Sequence, residues 1–73
     1  MATGATQLQL IVNGEDRTFD GVADVAGLVR ALGLDVRKVA VERNLEIVPR
    51  STYDKTKLTD GDRIEIVHFI GGG

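Results

Sequence analysis

The residues with the most distinctive chemistry in this chain are three that have no side chain: Gly71, Gly72 and Gly73. They follow the run R-I-E-I-V-H-F-I (Arg63 to Ile70) directly, so a stiff β-branched segment passes into bare backbone with no linker. Fully extended, three residues reach about 10 Å. Glycine admits a wall close to both sides of the backbone, so such a tail fits an enzyme slot too narrow for any Cβ. The expectation is that the carboxylate of Gly73 is the reacting group. Gly71 and Gly72 would thread it into a partner's active site, with the rest of the chain as its handle. The plainer alternative is a frayed terminus rich in small residues. Such an end drifts through polar residues, whereas here Ile70 meets glycine abruptly.

Side-chain catalysis finds little support. His68 is the single histidine, and on a strand it reads as a structural or interface residue more readily than as a base. Ser51 and Thr52 stand beside no base and no elbow motif. Asp60 and Asp62 flank Gly61 without calcium-loop spacing, which points to turn chemistry and not to a metal. Glu42 and Arg43 read as a solvated turn that also offers contacts to a partner. The terminal glycines open no helix and so form no phosphate loop. The chain has no cysteine, which removes disulfides and thiolate metal sites. The expectation is a protein that is not an enzyme and binds no metal or cofactor of its own.

The elements that must carry the tail are legible in outline. Seventy-three residues make one domain, near the lower limit for a self-sufficient core. Met1 to Thr6 reads as a flexible lead-in, residues 7–70 as the folded domain and 71–73 as the tail. Leu8, Leu10 and Val12 alternate with Gln7, Gln9 and Ile11, the pattern of a half-buried strand. Asn13-Gly14 signals a tight hairpin, with a second strand over about Arg17 to Phe19. Asp24 can cap a helix carrying one apolar stripe of Val25, Leu28, Val29 and Leu32, ended by Gly33. Gly27 inside that helix implies a close neighbour.

Val39 to Val41 makes a third strand, which Glu42-Arg43-Asn44 takes into a turn. Glu46 to Val48 is a short fourth strand stopped by Pro49. Ser51 to Lys57 is irregular, with Tyr53 and Leu58 tucked into the core. Thr59-Asp60-Gly61-Asp62 is a turn that launches a central last strand. On that strand Ile64, Ile66 and His68 lie toward the helix, while Glu65, Val67 and Phe69 lie on the uncovered face. The order β-β-α-β-β-β is that of an α+β sheet with one helix on one face. Val67, Phe69 and Ile70 beside the tail form a candidate docking patch. The net charge of −2 argues against nucleic acid as a partner. With no apolar span and no leader pattern, no membrane association is expected and the cytoplasm is the expected compartment.

These segments carry a resemblance. V-A-V-E-R-N (Val39 to Asn44), E-I-V-P-R (Glu46 to Arg50), L-T-D-G-D-R-I-E-I-V (Leu58 to Val67) and the H-F-I-G-G-G ending resemble the ThiS family, the sulfur carriers of thiamine biosynthesis. The resemblance covers most of Gln7 to Gly73 and implies a ubiquitin-like β-grasp fold with a mixed five-stranded sheet. It also implies a chemistry. A ThiF-like adenylyltransferase would use ATP to adenylate Gly73, a cysteine desulfurase-derived persulfide donor would supply sulfur, and the resulting thiocarboxylate would serve a ThiG-like thiazole synthase. The related carrier of molybdopterin synthase (MoaD-like) and a ubiquitin-like protein modifier are the alternatives. The V-E-R-N and E-I-V-P-R segments favour the thiamine branch.

Overall fold

The structure, a computed structural model, describes residues 7–69. Strand β1 (Gln7–Val12) turns through Asn13 and Gly14 into β2 (Glu15–Asp20). Both turn residues have positive φ, +49° and +84°, the type I′ geometry that matches strand twist. Because the loop has only two residues, every β1 residue finds a partner, from Val12 opposite Glu15 to Gln7 opposite Asp20. That extends β2 beyond the expected Arg17 to Phe19. Its polar side chains are tolerated because β2 is a sheet edge and buries only Phe19.

Helix α1 (Val25–Ala31) begins at Asp24, whose Oδ1 accepts the Gly27 N–H at 2.8 Å. The other free N–H groups of the first turn are satisfied from a distance. Val25 N–H donates to the Thr56 carbonyl at 3.1 Å and Ala26 N–H to that of Tyr53 at 2.9 Å. Gly33 ends the helix at φ +77°. Its N–H donates to the Arg30 carbonyl and that of Leu34 to the Val29 carbonyl, at 2.9 and 3.1 Å, a Schellman pair. Gly27 does have a close neighbour, the cap itself: a Cβ there would lie 3.3 Å from Asp24 Oδ1.

A 3₁₀ turn (Val36–Lys38) leads into β3 (Val39–Arg43), which pairs antiparallel with β4 (Glu46–Val48). Glu42 and Arg43 therefore belong to the strand, and the turn consists of Asn44 and Leu45, both at positive φ. The segment expected to be irregular contains a 3₁₀ turn (Arg50–Thr52). It packs Tyr53 and Leu58 into the core as anticipated, and Tyr53 Oη donates to the Val39 carbonyl at 3.2 Å. Strand β5 (Arg63–His68) then enters the centre, parallel to β1 and antiparallel to β3, in the order β2-β1-β5-β3-β4. Leu10, Leu28, Val25, Val29, Val39, Val41 and Ile64 form the driest part of the single core between sheet and helix. The element order led to an α+β sheet with one helix across one face, and this mixed five-stranded sheet is the β-grasp arrangement that the resemblance implied.

Candidate functional site

Strand β5 is the element that would deliver the tail, and its surroundings hold it from both sides. The β1 ladder reaches only to Val12 opposite Ile64. One step further, the Asn13 side chain takes the place of the next rung. Its Oδ1 accepts the Ile66 N–H at 2.8 Å, and its Nδ2 donates to the Ile66 carbonyl at 3.2 Å. On the other side the pairing with β3 runs to His68 opposite Val39, and Phe69 N–H donates to the Lys38 carbonyl at 2.8 Å. The last described residue before Ile70 is thus still hydrogen-bonded into the sheet.

The start of β5 is held by a second network. Asn44 Oδ1 accepts the Arg63 N–H at 2.9 Å, while its Nδ2 donates to Asp62 Oδ1 at 3.0 Å. Asp62 Oδ2 also accepts from Arg43 Nε and from the Thr59 N–H, each at 2.8 Å. Burial alone would push this carboxyl up. The hydrogen bonds from Asn44, Thr59 and Arg43, with the charge of Arg43, outweigh it and hold the group below the ordinary carboxylate value. The turn chemistry expected of Asp60 and Asp62 is seen at Asp62, whose N–H donates to the Thr59 carbonyl at 3.0 Å while its Oδ2 accepts the Thr59 N–H. Asp60 Oδ1 instead accepts the Gln9 N–H of β1 at 2.9 Å. Reading Arg43 as a solvated turn residue is corrected: it is the ionic partner of a buried aspartate, positioned by the strand that continues through it. Among the described residues no group of three or more His, Cys, Asp or Glu side chains is placed to hold a metal. Nor is any helix there long and apolar enough to cross a membrane.

Of the expected site residues, Gly71, Gly72 and Gly73 lie outside the described residues, as does Ile70. Val67 and Phe69 are exposed, at 59% and 46%. His68 has the same strand parity as Ile64 and Ile66, but it lies beyond the helix's cover and is exposed. It lines a cleft of about 400 Å³ with Arg17, Leu32 and Leu34.

The uncovered face also holds Ala40 and Ile47, for which no role was expected from sequence, beside Glu42, expected in a solvated turn and found in β3. Ala40 lies opposite Val67, Glu42 opposite Glu65, and Ile47 opposite Glu42. Ile47 is 78% exposed and Leu45, at the β3–β4 turn, 85%. The signal for Ile47 was its place between Glu46 and Val48 on a short strand whose next residue points inward. For Leu45 it was the dipeptide Asn-Leu where Asn-Gly is the favoured hairpin pair.

Comparison with known proteins agrees with this arrangement. The crystal structure of the thiamine biosynthesis protein ThiS from Geobacter metallireducens superposes with a TM-score of 0.76 at 39% identity, covering 90% of this chain and 100% of that one. The sulfur carrier protein ThiS of Bacillus subtilis is 40% identical over 65 residues, which are 88% of this chain and 98% of that protein. A thiazole synthase of Paramagnetospirillum magneticum is 56% identical over 66 residues; those are 90% of this chain, which spans only 20% of that longer relative. The model of the ThiS family matches residues 10–73, from within β1 through the glycine run, and the chain belongs to the ThiS family.

Proposed function

We propose that this protein is a sulfur carrier for thiazole formation in thiamine biosynthesis, acting in the cytoplasm through the carboxyl group of Gly73. The observation that carries the reading is the family match, which runs through the glycine run to residue 73. The Bacillus subtilis relative, named a sulfur carrier protein, is matched over almost its whole length. A carboxylate is a poor electrophile. On a ThiF-like adenylyltransferase the Gly73 carboxylate attacks the α-phosphate of ATP and expels pyrophosphate, giving an acyl-adenylate. The terminal sulfur of a cysteine-derived persulfide then attacks the acyl carbon and expels AMP. Cleavage of the S–S bond by a thiol leaves a thiocarboxylate, whose sulfur a thiazole synthase consumes.

No side chain of this chain need perform catalysis in that sequence, and ATP is bound by the activating partner. The chain acts as a protein substrate. It contributes a glycine tail thin enough for a partner's slot, which shields the thio-acid from water, and a sheet that fixes where the tail begins. Tethering to a docked domain raises the local concentration of the reacting group. Val67, Phe69 and Ile70 are the docking residues next to the tail.

The test is intact-mass analysis after incubation with ATP, the adenylyltransferase and a persulfide donor. The expected product is heavier by the difference between sulfur and oxygen, localised by fragmentation to Gly73. A chain lengthened by one residue after Gly73 should show no such product. Sulfur loading of the lengthened chain, or none on the native one, would overturn the proposal.

A further inference from the structure

The uncovered face of the sheet is not uniform. Its β2–β1 half is mainly polar, presenting Gln7, Gln9, Asp16, Thr18 and Asp20 around a half-buried Ile11. Its β5–β3–β4 half carries a depression of about 190 Å³ lined by Ala40, Glu42, Ile47, Glu65 and Val67. Ala40 is the smallest of these and forms the floor opposite Val67. Exposed Ile47 and Val67 form apolar walls. Within this apolar setting Glu42 and Glu65 are direct cross-strand partners. Like charges facing each other across two strands destabilise a sheet. Neither carboxylate makes an ion pair, those among the described residues being Arg37–Asp35 and Arg43–Asp62. The nearest cation on this face is Arg63, two residues before Glu65 on β5.

Several occupants are disfavoured by this chemistry. A second copy packed isologously on the face would bring four carboxylates together against only the two Arg63 side chains at their edge. Nucleic acid and anionic lipid carry the wrong sign. The chain's own segments outside the described residues, Met1 to Thr6 and Ile70 to Gly73, contain no basic side chain. What fits is a protein surface that offers one arginine or lysine. Its alkyl stem would lie on Ala40, Ile47 and Val67 and its charged head between the two carboxylates.

We infer that the Ala40–Glu42–Ile47–Glu65–Val67 depression is the docking site for a basic side chain of thiazole synthase, with Glu42 and Glu65 as its paired acceptors. The choice of partner rests on the sulfur-carrier reading and on the Paramagnetospirillum magneticum relative, a longer chain named thiazole synthase in which one segment is 56% identical to this domain. Like charges on directly opposed residues repel, and a partner's cation seated between them relieves that repulsion on binding.

The test compares wild type with the E42Q/E65Q double variant, using the full-length Bacillus subtilis thiazole synthase as probe. That organism's sulfur carrier is a separate protein of about this chain's size. Binding is followed by calorimetry at several salt concentrations, stability by urea unfolding, and sulfur loading at Gly73 by intact mass. The double variant should unfold at equal or higher urea than wild type. It should nevertheless bind about tenfold more weakly, with a flatter salt dependence. A residue with a merely structural role would move stability and affinity in the same direction. Equal affinity and salt dependence in the two proteins would overturn the site, as would the absence of saturable binding by wild type. A wild-type dimer broken by Val67→Asp would also overturn it, by making a second copy the occupant. Failure of wild type to load sulfur would instead strike at the carrier reading, and its separate readout keeps the two failures distinguishable.

Discussion

The two hairpins that flank β5 solve one problem with different residues. Each turns through a two-residue loop with positive φ, and each places an asparagine first: Asn13-Gly14 between β1 and β2, and Asn44-Leu45 between β3 and β4. In both, the asparagine side chain reaches beyond its own turn to bond the central strand, Asn13 at Ile66 and Asn44 at Arg63. The hairpins differ in what else they hold. Asn13 bonds only backbone, near the exit of β5. Asn44 also bonds Asp62, and so joins a network of carboxylate, guanidinium and amide that fixes where β5 begins. The strand's entry is thus held by charge, whereas its exit is held by a neutral amide. The ladder to β3 pairs β5 from Ile64 to His68; the entry network anchors its start, and Asn13 holds Ile66 on the side that β1 leaves open.

The largest effect should come from breaking the entry. Asn44→Asp replaces the amide that donates to Asp62 with a second carboxylate about as close, so like charges meet at a partly buried position. A loss of about 2–3 kcal/mol at neutral pH is expected in urea unfolding. The corresponding Asn13→Asp keeps an acceptor for the Ile66 N–H and only turns an oxygen toward the Ile66 carbonyl. Its cost should be smaller, about 1–2 kcal/mol. Equal losses would mean that the two asparagines do equivalent work and that the charged network adds nothing.

Acid sharpens the same contrast. The folded-state value of Asp62 lies below its unfolded one. Its contribution is therefore present above an unfolded carboxylate pKa of about 3.9 and is lost as pH falls through the lower folded value. In Asp62→Asn the stability deficit relative to wild type should be full at pH 7 and shrink below about pH 4. The mutant would still leave Arg43 with a weaker acceptor, so a deficit of about 1–3 kcal/mol at pH 7 is expected. A deficit that stays constant across that range would show that Asp62 acts as a neutral hydrogen-bond acceptor.

Much of this fold could be read from local pattern, and the reason is visible in particular residues. Leu8, Leu10 and Val12 alternate, Asp24 and Gly33 bracket one apolar stripe, and Asn13-Gly14 names its own turn, so each element carries its signal within a few residues. The central place of β5 was readable because Ile64 and Ile66 sit in an apolar run free of breakers. The candidate site divides differently. The exposure of Val67 and Phe69 followed from strand parity, whereas the depression that Val67 borders did not. It depends on Glu42 facing Glu65, twenty-three residues away in sequence, and on Ile47 arriving beside them through a second hairpin. The clamps were hidden for the same reason. Asn13 and Ile66 are fifty-three residues apart, and no local periodicity reports a side chain that stands in for a ladder rung. Arg43 was misread because an exposed-looking Glu-Arg-Asn run resembles a solvated turn, while its partner is Asp62.

The smallest expected effect concerns the second residue of each turn, and it separates stability from use. Gly14 and Leu45 have similar backbone angles, φ +84° and +71°. A Cβ at Gly14 would meet nothing within 4 Å, so the cost of a side chain there is set by the left-handed backbone alone, about 1 kcal/mol. Leu45 already bears that cost while exposing an apolar side chain almost completely. Exchanging the residues tests the point. Gly14→Leu should destabilise by about 1 kcal/mol, and Leu45→Gly should stabilise by somewhat less, because glycine gains freedom in the unfolded chain. If Leu45 is only a tolerated surface residue, Leu45→Gly will change nothing but the urea midpoint. If it extends the apolar rim beside Ile47, the same variant will be more stable and yet bind its partner more weakly, the pattern expected for Glu42 and Glu65. A gain in stability with unchanged affinity would confine the docking surface to the strands and leave Leu45 outside it.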